Sequence, residues 1–146
     1  MMRILLNIIF LSLLLYSCDK QKQTAKKLKG EWEILTYKFT DTEGLSEIAS
    51  CEGSMIFESK PTYTDPKPYS LKFSYDFSTS SGIVDQVGTF DVIESGDYLE
   101  ITKTDASGTV LSTDKYRILT RTSTDLQLEY SDSIGCIHMY IFERKK

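Results

Sequence analysis

Histidine is nearly missing from this sequence: among its 146 residues there is one, His138. Any histidine-based catalytic unit would have to be built on it, and its place in a run with Ile137 and Met139 reads as an ordinary strand position. Cysteine is scarce too, with three residues. Two of them and one histidine do not make a zinc set. No serine sits in a Gly-x-Ser-x-Gly turn, and no glycine-rich phosphate loop is present. Asp41, Glu43 and Glu47 miss the spacing of a calcium loop and read as a solvated acidic stretch. Twenty-one acidic residues make some carboxylate pair inevitable on any surface, so none is singled out for glycosidase chemistry. A basic excess is absent as well. Lys and Arg number 17 against 21 Asp and Glu, and basic residues concentrate only at 20–27 and in the last three positions. Nucleic acid needs a basic face to neutralise phosphates, so it is excluded as a partner. These absences nominate no catalytic residue, no metal and no cofactor, and the expectation is a non-enzymatic protein.

No apolar run reaches the roughly 20 residues that a membrane-spanning helix requires. The longest, 4–16, is broken by Asn7 and Ser12 and follows the short positive start Met1-Met2-Arg3. A run of that length at the N-terminus reads as an export signal. It stops at Leu15-Tyr16-Ser17-Cys18, which resembles the lipobox of bacterial lipoproteins. The resemblance implies cleavage after Ser17, a diacylglycerol thioether on Cys18, and an acylated N-terminus that holds the protein on a membrane. The expected organisation is therefore a lipoprotein signal peptide at 1–17, a lipidated cysteine and polar tether at 18–27, and one domain at 28–146. The tether lysines suit anionic lipid headgroups. The expected location is the cell envelope, facing the periplasm, with the outer membrane favoured over the inner.

What the sequence has in plenty is aromatic and β-branched residues; Tyr numbers 9 and Phe 7, and both types favour strands. The clearest strand is Tyr69, Leu71, Phe73, Tyr75 and Phe77, alternating strictly with polar residues at period two. A first strand is expected from Leu28 to Phe39, a loop with a short helix near 45–49 over 41–50, and a second strand at 54–58. Prolines 61, 66 and 68 mark an irregular segment. Further strands are expected at 84–93, with a bend or bulge at Gly88, and at 98–104, 110–119, 125–130 and 136–143. Short turns between sequential strands favour an antiparallel up-and-down meander, and closing it removes the exposed edges. The expected fold is all-β, a single barrel of about eight strands.

Several short motifs then line up in order. Leu28-Lys29-Gly30-Glu31-Trp32 resembles the Leu-x-Gly-x-Trp opening of lipocalin-like domains in Bacteroidetes lipoproteins. Gly88-Thr89-Phe90, Leu99-Glu100-Ile101-Thr102, Tyr116-Arg117-Ile118, Leu126-Gln127-Leu128 and Tyr140-Ile141-Phe142-Glu143-Arg144 resemble that family's later strands. The resemblance implies a lipocalin-like barrel in which Gly30 and Trp32 are fold residues and Arg144 covers the tryptophan ring at the barrel bottom.

The leading expectation for function is binding of a small apolar or amphipathic ligand through the open end of the barrel. Tyr69, Leu71, Phe73, Tyr75, Phe77, Phe90, Tyr116 and Tyr130 are the lining candidates, although small barrels are often filled by such side chains. The alternative is an envelope accessory or inhibitor module acting through protein contacts of segments 41–50 and 61–68. Cys51 and Cys136 are expected to form a disulfide, since the envelope permits one. That bridge requires Cys51 to lie in a loop able to fold over the end of the first strand.

Overall fold

The computed structural model describes residues 20–58 and 67–146. The expected signal segment 1–17, Cys18, Asp19 and positions 59–66, which include Pro61, Tyr63 and Pro66, lie outside the described residues. Eight strands follow one another: β1 (Gly30–Thr40), β2 (Ser46–Phe57), β3 (Lys67–Asp76), β4 (Ser81–Ile93), β5 (Tyr98–Thr104), β6 (Val110–Arg121), β7 (Asp125–Ser131) and β8 (Ile137–Arg144). Each pairs antiparallel with the next, and β8 pairs back to β1, so the sheet is a closed up-and-down barrel. The all-β, eight-stranded barrel expected from the sequence is the fold observed. Among the described residues no helix is long and apolar enough to cross a membrane.

The strand boundaries depart from expectation mainly at β2. Residues 46–50 are strand rather than loop or helix, paired to β1 with Ala49 opposite Tyr37. Their alternation is masked because the outward positions include the apolar Ile48, which is two-thirds exposed. Gly88 is not a bulge: the β3–β4 and β4–β5 registers run through it unbroken. A side chain there would collide with the Thr102 carbonyl, so glycine serves close approach of neighbouring backbone.

Three hairpins at one end of the barrel share a single design. Asp41-Thr42-Glu43-Gly44-Leu45, Asp105-Ala106-Ser107-Gly108-Thr109 and Asp132-Ser133-Ile134-Gly135-Cys136 each begin with aspartate and carry glycine three residues on. In each, the aspartate Oδ1 accepts the amides two and four residues later at 2.9–3.0 Å. The glycine amide donates back to the aspartate carbonyl. The three glycines have φ of +85°, +87° and +93°, a region L side chains avoid. Asp and Gly at this spacing therefore fix three of the turns that set the register of the barrel.

The opposite end is plugged. Residues 20–28, expected as polar tether up to 27, form a helix, α1. Thr24, Ala25 and Leu28 face the barrel and are buried, while Lys20, Lys22, Lys26 and Lys27 point to solvent. Thr24 packs against Gly96 in the β4–β5 turn. Trp32 is fully buried beneath the helix and donates its indole N–H to the Leu28 carbonyl at 2.7 Å. Arg144 stands 4.2 Å over the Trp32 ring and donates to the carbonyls of Lys27, Lys29 and Ser123. It thus caps the helix C-terminus, where carbonyls lack intrahelical partners, and ties β8 to β1. Below this plug lies a dry core of Ile34, Met55, Phe57, Phe90, Leu99, Ile101, Leu126, Leu128 and Phe142, each under 3% exposed. Burial of each such side chain contributes about 1.5–3 kcal/mol.

Candidate functional site

The other end of the barrel is open. A pocket of about 370 Å³ sits in this mouth, lined by Tyr37, Phe39, Asp41, Leu45, Glu47, Tyr75, Phe77, Thr79, Ser80 and His138. Its position follows from register. The C-terminal half of β1, the start of β2, the end of β3 and the start of β8 all reach this rim. β1 shifts register between Ile34 and Thr36, so inward residues change from even numbers (Trp32, Ile34) to odd ones (Tyr37, Phe39). That bulge brings two aromatic rings into the mouth that an unbroken alternation would point outward.

The rings pack on one another. Tyr37 has its centroid 5.2 Å from Phe77, 5.5 Å from Tyr75 and 5.0 Å from Tyr140. Phe39 meets the His138 ring edge-on at 5.3 Å. Through this wall runs a hydrogen-bonded chain. Tyr140 bonds the Tyr37 oxygen, the Tyr37 hydroxyl and His138 Nδ1 share a hydrogen bond at 2.8 Å, and His138 Nε2 faces Asp132 Oδ2 at 3.2 Å. When Nδ1 accepts from Tyr37, the ring proton sits on Nε2 and is donated to Asp132. Desolvation alone would raise the Asp132 carboxyl, but the bonds from His138 and from the Cys136 and Ile134 amides hold it below the usual range. Burial, with Tyr75 beside it, pushes Tyr37 up to about 12. The chain therefore holds neutral Tyr37 in place at neutral pH and orients the histidine.

On the β5–β6 side is a second polar group. Lys103 and Asp114 pair at 2.6 Å, both mostly shielded from solvent. Asp114 also accepts from Ser112 at 3.2 Å and from the Tyr130 hydroxyl. Burial first, and the Asp114 charge with it, raises Tyr69, Tyr116, Tyr130 and Tyr140 above their ordinary range. These tyrosines are hydrogen-bonding and packing groups rather than acids. Among the described residues no cluster of three or more His, Cys, Asp or Glu could hold a metal ion.

The residues nominated from the sequence separate into two groups. Tyr75 and Phe77 line the mouth pocket. Tyr69, Leu71, Phe73, Phe90 and Tyr116 are buried members of the core, and Tyr130 packs half-buried against Tyr116 at 5.1 Å. Tyr37, Phe39, Leu45, Glu47 and His138 were not nominated. His138 had a usable signal, since it is in phase with Tyr140 and Phe142. Tyr37 and Phe39 had none, because the β1 bulge carries no mark in the sequence.

Cys51 and Cys136 are free thiols, not a disulfide. The expected loop around Cys51 is strand β2, with Cys51 opposite Tyr75. Cys136 lies one position before Ile137, which pairs Thr40 at the rim, whereas Cys51 lies deeper than Ala49 opposite Tyr37. The two are thus offset along β1 by five or six residues, roughly 17–20 Å at about 3.3 Å per residue. Bridging needs Cα atoms within about 7 Å.

Comparison with known proteins returns structures only. No family model matches the chain, and no curated protein matches it. Solved structures similar to it include a redesigned β-barrel at 16% identity, covering 84% of this chain and 96% of that one, TM-score 0.49. A de novo designed fluorescence-activating β-barrel matches at 16% identity, with 84% and 97% covered and TM-score 0.49. A redesigned β-barrel bound to DFHBI matches at 15% identity, with 83% and 98% covered and TM-score 0.49.

Proposed function

We propose that this chain is a lipid-anchored, non-enzymatic binding protein of the cell envelope, whose barrel takes a small amphipathic ligand at its open mouth. The observation that carries the reading is the mouth pocket, about 370 Å³ and walled by Tyr37, Phe39, Tyr75 and Phe77, within the size range of small-molecule sites. Among the described residues the interior below the mouth is occupied by the buried core side chains, Phe57, Phe73, Phe90 and Phe142 among them, so the ligand would lodge at the mouth. The lysine-bearing helix α1 is at the plugged end, on the side from which the N-terminal segment enters. Anchored through Cys18, the barrel would rest its lysines near anionic headgroups and turn its mouth away from the membrane. The family reading, a lipocalin-like lipoprotein of the Bacteroidetes type, is supported by the Gly30, Trp32 and Arg144 arrangement and remains part of the proposal.

The test is to purify the native lipidated protein, denature it, and identify released small molecules by mass spectrometry. A near-stoichiometric amphiphile that is lost in Phe77→Asp is the expected result. An empty native protein, with no probe bound at millimolar concentration, would refute the ligand reading. The anchor is tested separately: Cys18→Ser should abolish metabolic labelling with fatty acid.

One observation favours the second reading, a protein-interaction module. Leu45, Ile48, Ile83, Val110, Leu111 and Ile134 are 58–75% exposed and all lie at or near the mouth end. Retention of a specific envelope protein by the wild type and not by Ile48→Lys with Ile134→Lys is the result that would favour it.

A further inference from the structure

The reading as a ligand-binding barrel leaves open what head group the mouth accepts, and the geometry of the mouth bears on that directly. We propose that the pocket is a site for an organic cation, an amine or quaternary ammonium carried on a small apolar body. The inference rests on the ligand-binding reading and sharpens it.

The first observation is the wall. Tyr37, Phe39, Tyr75 and Phe77 supply four aromatic rings to one pocket. Ring faces carry negative quadrupole potential and attract a desolvated cation. A wall made only for hydrocarbon would be served equally by Leu and Ile, and Leu45 is the single aliphatic residue in it.

The second is the pair of carboxylates that reach the same space, Asp41 and Glu47. Asp41 is held by the Glu43 and Leu45 amides through Oδ1, and Glu47 by the Thr79 hydroxyl through Oε2. Each is fixed through one oxygen, and the other oxygen is not used in these bonds. No Lys or Arg lines the pocket. His138 is the one basic side chain there, and both its ring nitrogens are already engaged, by Tyr37 and Asp132.

The third is the surrounding field. The four turns that ring the mouth, 41–45, 77–80, 105–109 and 132–136, contain Asp41, Glu43, Asp105 and Asp132 and no lysine or arginine. Lys103, a cation mostly shielded from solvent, is paired with Asp114. A mouth lined with one sign of charge concentrates ligands of the other. An anionic amphiphile would meet two carboxylates and no free cation, so the arrangement discriminates against it.

The test compares three water-soluble probes with one ring and different heads: benzyltrimethylammonium, benzyl alcohol and phenylacetate. Each is equilibrated by dialysis against the native lipidated chain in phosphatidylcholine nanodiscs, with empty discs as blank. Benzyltrimethylammonium should bind about tenfold more tightly than benzyl alcohol, and phenylacetate most weakly. Glu47→Gln keeps an acceptor for Thr79, and Asp41→Asn keeps the turn acceptor. Each should weaken the cation about three- to tenfold and weaken benzyl alcohol by a smaller factor, so that the preference for the cation narrows. Equal binding of cation and alcohol, tighter phenylacetate, or cation affinity untouched in both variants overturns the head-group inference while the barrel stays a binding protein. Binding of none of the three overturns it together with the reading beneath it.

Discussion

The two ends of this barrel are built from different chemistry. At the plugged end, Trp32, Phe57, Phe90, Phe142 and five aliphatic side chains pack without a titratable group among them, and helix α1 with Arg144 seals the opening. At the mouth, tyrosines, a histidine and carboxylates share the interior, joined by the Tyr140–Tyr37–His138–Asp132 chain and the Lys103–Asp114 pair. The difference shows a division of labour within one sheet. Stability is concentrated where apolar area is lost to water, and the titratable side chains of the interior are placed where polar groups keep partial access to solvent. Outer charge follows the same axis, with lysines on α1 and acidic turns around the mouth.

Alkaline pH should break the comparison most severely, because it acts on the interior tyrosines, from Tyr37 at the mouth to Tyr69 and Tyr116 in the core, and not on the apolar side chains under the plug. Tyr37, Tyr69, Tyr116, Tyr130 and Tyr140 are all raised above 10, Tyr37 to about 12. A raised folded value means that the stabilisation is fully present below pH 10 and is lost as pH climbs through the folded value. Tyrosinate absorbance from these residues should lag behind that of ordinary exposed tyrosine as pH rises, and its appearance should coincide with loss of near-ultraviolet dichroism. Ionisation of all tyrosines at pH 10 in a still-folded protein would contradict the packing described.

Trp32→Ala strikes the other end. It removes the largest fully buried side chain and the bond to Leu28, and should cost about 3–5 kcal/mol in denaturant unfolding. A loss below about 1 kcal/mol would mean that the plug is not a stability element. Arg144→Lys is gentler, retaining charge but not the planar stack or the forked donation. It should cost about 1–3 kcal/mol and speed amide exchange in α1 ahead of the strands, measurable by hydrogen exchange. Tyr37→Phe is the smallest change, leaving the ring and deleting the hydroxyl between Tyr140 and His138. Stability should fall by about 1 kcal/mol, while His138 ring resonances shift in NMR and Trp32 signals stay still. Equal disturbance at Trp32 would show that the two ends are not independent.

Strand alternation was legible wherever one face meets the core and the other meets solvent, as in Tyr69 to Phe77. It was illegible at 46–50, where outward Ile48 is apolar and exposed. The capping role of 20–28 was hidden because one helical face of Thr24, Ala25 and Leu28 is too small to stand out among lysines and glutamines. The disulfide expectation failed on register, a quantity that chain spacing does not carry.

The sequence by itself determined the closed all-β barrel, because aromatic and β-branched alternation with Asp-x-x-Gly turns leaves an antiparallel meander few other ways to bury one face. It also determined the pairing partners of the strands, which follow chain order. Only the tertiary structure decided which residues share the mouth. That depends on a one-residue bulge in β1, which turns Tyr37 and Phe39 inward, and on the stagger of β1 against β8, which sets His138 beside them. Both are consequences of closing a twisted sheet, a long-range constraint that no local pattern encodes.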